Sequence, residues 1–130
     1  MNRRRVAVIH ADPGVAEMFA ELLATAGYEP CLPGSGNLRD LLRRRQPALV
    51  LLDLHLYGPE PDRSLLTQIR AWSSDPKLRL IALTTSPRLA RKHATGRVPA
   101  SAVVVLPCDL DELLSCVFAV LGPPDANASP

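Results

Sequence analysis

Four short apolar runs constrain the fold of this chain more than any other feature: Val6-Ala7-Val8-Ile9, Ala48-Leu49-Val50-Leu51-Leu52, Leu80-Ile81-Ala82-Leu83 and Ala102-Val103-Val104-Val105-Leu106. Each is continuous, not alternating, and each ends in polar or turn-forming residues. Strands that are apolar at every position are the kind covered on both faces, as in a parallel sheet packed between helices. A weaker fifth run lies at Glu29 to Leu32, where Pro30 and Pro33 confine it to a sheet edge.

Helical patterns fill the gaps. Val15, Met18, Phe19, Leu22 and Leu23 follow a 3.6-residue spacing behind Asp12 as N-cap and Pro13 at the first helical position, with Gly27 closing the end. Leu38, Leu41 and Leu42 mark a short helix stopped by Pro47. Leu65, Leu66, Ile69 and Trp72 mark another, stopped before Pro76. Ser86-Pro87 opens a weaker one carrying Leu89, Ala90 and Ala94, with Ser86 as its cap. The last is the clearest: Asp109 and Glu112 have capping-box spacing, Leu110, Leu113, Leu114, Val117, Phe118 and Leu121 form one stripe, and Gly122 ends it. Strand and helix alternate about five times, which predicts a doubly wound α/β sheet with right-handed crossovers. One domain is expected over residues 1–122, followed by a disordered Pro-, Ala-, Asn- and Ser-rich tail over 123–130, with no output domain after it.

The 130 residues, 47% hydrophobic and 22% charged, suit one core and exclude disorder along the whole length. No apolar run approaches the roughly 20 residues that span a bilayer, and Val6 to Ile9 is too short for a secretory signal core. A cytoplasmic location is expected. The net charge of +2 and 4% aromatic content argue against nucleic acid as a partner. Cys31, Cys108 and Cys116 lack CxxC spacing and read as reduced thiols.

In an open α/β sheet, ligands gather outside the carboxyl ends of the strands. Those ends carry His10-Ala11-Asp12, Asp53, Thr84-Thr85-Ser86 and Leu106-Pro107-Cys108. No glycine-rich phosphate loop follows the first strand, since Gly14 stands alone, so a nucleotide- or flavin-binding reading lacks its physical basis.

From about Arg4 to Leu121 the sequence resembles the receiver domain of two-component response regulators. The resemblance rests on Pro47 to Leu56, which looks like the phosphoacceptor strand with Asp53 as acceptor, on Leu83-Thr84 as the switch threonine, and on Pro107 before Asp109-Leu110-Asp111-Glu112-Leu113-Leu114. It implies a flavodoxin-like five-stranded sheet in order 2-1-3-4-5, phosphorylation of Asp53 by a histidine kinase with Mg²⁺, and signalling through the fourth helix, fifth strand and fifth helix. The departures lie in the pocket. His10 and Ala11 stand where the family has two metal-binding acids, Leu106 stands in place of its lysine, and Val103 in place of its aromatic.

Phosphorylating a carboxylate brings like charges together and adds about −1.5 to −2 charge, so metal and cationic side chains carry the catalysis. Mg²⁺ takes oxygen ligands; Asp53 and the His55 carbonyl could supply two, whereas Ala11 supplies none and His10 offers a nitrogen better suited to zinc, nickel or copper. Neither Lys77 nor Lys92 falls at a strand end. Asp12 either approaches a metal or caps its helix, and its place before Pro13 favours the cap. His10 either hydrogen-bonds Asp53 or fills space. Thr84 either meets a phosphoryl oxygen or bonds locally, and Leu106 is packing.

The expected function is that of a stand-alone receiver-like module with an eroded phosphorylation site. It acts by binding a histidine kinase or downstream effector, or a second copy through the fourth helix, fifth strand and fifth helix, with no catalysis of its own. The alternative is a competent phosphoacceptor that ligates its metal through Asp53 and, by way of water, Asp12. Basic clusters at Arg3-Arg4-Arg5, Arg43-Arg44-Arg45 and Arg88, Arg91, Lys92, His93, Arg97 are solvated surface, the third also being open to an acidic partner.

Overall fold

The apolar runs become strands in a computed structural model that describes residues 3–34, 37–73, 75–96 and 98–125. In chain order the elements are β1 (Arg5–Ile9), α1 (Pro13–Thr25), β2 (Glu29–Cys31), α2 (Leu38–Arg45), β3 (Leu49–Asp53), α3 (Ser64–Trp72), β4 (Arg79–Thr84), α4 (Pro87–Ala94), β5 (Ala102–Val105) and α5 (Leu110–Leu121). The five strands form one parallel sheet in the order β2-β1-β3-β4-β5.

The continuous runs are apolar because each face of the sheet has its own core. Ala7, Ile9, Val50, Leu52, Leu80 and Ala82 pack under α2, α3 and α4. Their neighbours Val6, Val8, Leu49, Leu51, Ile81 and Leu83 pack under α1 and α5. Side chains alternate along a strand, so successive residues serve opposite cores. The helices covering the two faces differ in charge. α1 and α5 carry Glu17, Glu21, Asp111 and Glu112 and no basic residue, whereas α2, α3 and α4 carry Arg39, Arg43, Arg44, Arg45, Arg70, Arg88, Arg91 and Lys92 against Asp40 alone.

Register sets the site. Ile9 pairs with Leu52 and Asp53 with Leu83, so the residues that follow β1, end β3 and end β4 meet at one edge of the sheet. The Asp12 carboxylate accepts from the amides of Gly14 at 2.8 Å and Val15 at 3.4 Å, fixing the start of α1 directly after β1. Gly27, at φ 100°, turns the chain out of α1 in a conformation that favours glycine.

Several local expectations are corrected. The buried line of α1 is Ala16, Phe19, Ala20 and Leu23, which leaves Met18 45% exposed. On α5, Leu113, Val117 and Leu121 are buried while Leu110 and Phe118 face outward, because the expected stripe is wider than the strip of helix that the sheet covers. The capping box of α5 is absent: Asp109 makes no side-chain cap bond, and only its carbonyl engages, accepting from the Leu113 amide at 3.1 Å. Asp109 and Glu112 are both exposed, where water competes for their oxygens. Ser86 precedes α4 without a side-chain cap bond.

Residues 122–125, at and past the boundary expected at 122, contact the start of the chain and Tyr28. Pro124 accepts from the Arg4 amide at 2.7 Å, Arg3 and Asp125 form an antiparallel bridge, and the Tyr28 hydroxyl donates to the Gly122 carbonyl at 2.6 Å. The backbone ahead of β1 needs partners, and this segment supplies them. The rest of the expected tail, 126–130, lies outside the described residues. No helix among the described residues is long and apolar enough to cross a membrane.

Candidate functional site

Asp53 ends β3 with only 4% of its surface exposed. A buried carboxylate needs hydrogen-bond donors. One oxygen accepts from the His55 amide at 2.8 Å, the other from the Ala11 amide at 3.0 Å. Backbone from two loops therefore supplies donors to both oxygens. A cavity of about 370 Å³ opens beside it, with His10, Ala11, Asp12, His55, Thr84 and Leu106 on its walls, together with Pro59 and Thr85. Pro107, expected in the pocket, is exposed and absent from these walls; Leu106 instead turns to the cavity while its amide donates to the Thr84 carbonyl at 2.7 Å.

The His10 ring does not hydrogen-bond Asp53, which corrects one expectation. Its Nδ1 lies 3.7 Å from the Asp53 carboxylate and accepts from the Asp12 amide at 3.0 Å. An amide can only donate, so Nδ1 presents its lone pair and the neutral ring carries its proton on Nε2.

His55 is the residue whose part sequence reasoning missed, since only its carbonyl was considered. Its Nδ1 lies 2.8 Å from the Pro59 carbonyl, which can only accept, so Nδ1 bears the proton. Nε2 then accepts from the Thr85 amide at 3.2 Å and from the Thr84 hydroxyl at 2.8 Å. The Thr84 oxygen in turn accepts from the Ser86 amide at 3.0 Å. Thr84 is fully buried, its proton committed to His55. The signal available in the sequence was residue type: an imidazole two positions after Asp53 can donate and accept at once.

The donor set does not match what Mg²⁺ takes. Asp53 is the one buried carboxylate of the cavity among the described residues, the exposed Asp12 has one oxygen engaged in capping α1, and Ala11 contributes an N–H where an oxygen ligand would be wanted. Among the described residues no group of three or more His, Cys, Asp or Glu side chains is placed to hold a metal ion. Among the described residues neither lysine nor arginine lines the cavity.

The remaining polar candidates have local roles. Arg5 and Arg45 pair with Glu29 at 2.7 and 3.5 Å, tying β1, β2 and α2 together. Arg88, Arg91 and Lys92 surround an open depression of about 430 Å³ on α4, while Arg97 lies outside the described residues. The three thiols are free, and burial pushes each of them up, which keeps them protonated and weakly reactive. Glu112 and Asp109 add to the effect at Cys108.

No protein-family model matches the sequence, and no curated protein does either. Solved structures share its architecture. A response regulator of Chloroflexus aurantiacus superposes with a TM-score of 0.73 at 24% identity, over 92% of this chain and 98% of the other. A chemotaxis response regulator of Vibrio cholerae gives 0.71 at 21% identity, over 92% and 100%. The receiver domain of a Pseudomonas aeruginosa sensor histidine kinase, which holds a magnesium ion in its active-site cleft, gives 0.73 at 18% identity, over 93% and 99%. The chain has the fold of response-regulator receiver domains.

Proposed function

We propose that this chain is a receiver-like module of a two-component or phosphorelay pathway, working in the cytoplasm by docking to a protein, with Mg²⁺-dependent phosphorylation of Asp53 weakened or absent. The observation that carries this reading is the state of Asp53: both oxygens are bonded to backbone amides, no lysine or arginine among the described residues lines the cavity, and the Thr84 hydroxyl is held by His55. A phosphoryl group there would add about −1.5 to −2 charge with no lysine or arginine among the described residues on the cavity wall to neutralise it.

The partner is a histidine kinase or a downstream effector, or a second copy of the chain, meeting the surface of α4, β5 and α5. The basic side chains of α4 suit an acidic contact. The module does no catalysis of its own.

The test is incubation with acetyl phosphate and Mg²⁺ beside an intact receiver, followed by intact-mass measurement. The expected result is a rate at least about a hundredfold below the intact receiver, equivalent to roughly 2.7 kcal/mol of lost transition-state stabilisation. Phosphorylation of Asp53 at a comparable rate would establish the competent alternative, in which Asp53→Ala abolishes signalling; under the docking reading that variant leaves partner binding intact.

A further inference from the structure

We propose that a second cavity, beside the Asp53 pocket, binds a small uncharged aromatic molecule bearing a hydrogen-bond acceptor such as a carbonyl oxygen. It goes beyond the docking reading and stands independently of phosphorylation. The sheet order places β2 on one side of β1 and β3 on the other, so the chain leaves β1 and β3 in opposite directions and a crevice opens at their carboxyl ends. Here that crevice has a volume of about 400 Å³, within the usual range for small-molecule pockets of roughly 300–1,000 Å³.

Its walls are mostly apolar. Ile9, Pro13, Leu38 and Leu56 line it, and Leu32 and Tyr57 are further lining residues, 39% and 75% exposed. Two of the five large apolar side chains most exposed among the described residues thus border one crevice. An aromatic ring presented to water beside a hollow of this size suits stacking against a planar ligand.

Charge narrows the class. Among the described residues Glu17 is the one carboxylate on the lining and no lysine or arginine accompanies it, so a phosphate or carboxylate ligand would meet repulsion with no counter-charge. Of the other polar side chains, Tyr57 brings a hydroxyl that donates or accepts, while Asn37 and His10 keep donors. Asn37 spends its side-chain oxygen capping α2, on the Asp40 amide at 2.8 Å, and keeps its NH₂. His10 spends Nδ1 on the Asp12 amide and keeps its Nε2 proton, which has no protein partner among the described residues. His10 also lines the Asp53 cavity, so it forms the partition between the two hollows. A ligand seated against it touches the wall of the Asp53 site without a phosphoryl group.

The probe is prodan, a neutral naphthalene ketone whose emission shifts to the blue in apolar surroundings, titrated into the full chain. Saturable one-to-one binding is expected, weakened at least about fivefold by Tyr57→Ala and by Leu32→Ala, both exposed positions whose loss leaves the far-ultraviolet circular dichroism unchanged. Phe118→Ser, at the separate groove formed by α5 and Tyr28, should leave affinity within about twofold. Anilinonaphthalene sulfonate, of similar size but anionic, should bind at least about tenfold more weakly. In amide spectra of labelled protein, prodan should shift the Ala11 resonance, whose N–H bonds to Asp53. Absence of saturable binding, loss of binding in Phe118→Ser with retention in Tyr57→Ala, or equal affinity for the sulfonate would each overturn the proposal. None of these results depends on whether Asp53 accepts a phosphoryl group, so the two readings fail separately.

Discussion

His55 ties its own loop, through the Pro59 carbonyl, to the end of β4, through the Thr84 hydroxyl and the Thr85 amide. Removing the ring strands a buried hydroxyl and releases the loop. His55→Ala should therefore lower stability by about 1–3 kcal/mol, the usual cost of leaving buried polar groups unpaired, measured as a fall in the urea midpoint at unchanged slope. A midpoint equal to that of the parent would mean that water replaces the ring without loss. Asp53 was legible in the sequence because a carboxylate directly after five apolar residues can only end a buried strand. The task of the His55 side chain was not, since its partner Thr84 lies 29 residues away and meets it only through the register of β3 with β4.

Among the elements, strands were more legible than helix ends. A continuous apolar run leaves one interpretation when both faces of a sheet are covered, and β1, β3, β4 and β5 follow from it. Edge strand β2 was readable through its prolines, because a strand at the sheet margin has fewer ladder bonds to lose. The start of α5 was less so: Asp109 has the right spacing for a capping box, yet at an exposed helix start the side chain gains little over hydration. The same limit applies to residues 123–125, whose composition suggests disorder but whose backbone completes the hydrogen bonding of Arg3 and Arg4. A chain ending at residue 122 should lose about 1–3 kcal/mol, for the Arg4 amide and the surface beneath Pro124 are then uncovered. Thermal unfolding of the truncated and full chains, compared at one pH, would register it; equal midpoints would show the clasp to be energetically idle.

For the whole molecule, alkaline pH is the revealing variable. Burial raises Cys31, Cys108 and Cys116 above the ordinary thiol value of 9.0 and Tyr28 above the ordinary phenol value of 10.0. For each group the unfolded chain releases its proton first as pH rises, so the folded state holds more protons and stability falls. The contribution is complete below the unfolded values and lost as pH climbs past them. Urea midpoints under reducing conditions should hold level from pH 7 to about 8.5 and then decline, and the decline should be shallower when the three cysteines are replaced by alanine. A flat profile through pH 10 would contradict the burial of these groups. The division of charge between the two faces of the sheet has a consequence of another kind. With a net charge of only +2, long-range attraction toward any target is feeble, yet acids on α1 and α5 opposed by arginines on α2 to α4 make the molecule a strong dipole. In dilute salt it turns before it touches, so that collisions with a negatively charged body are pre-sorted by torque and not by pull.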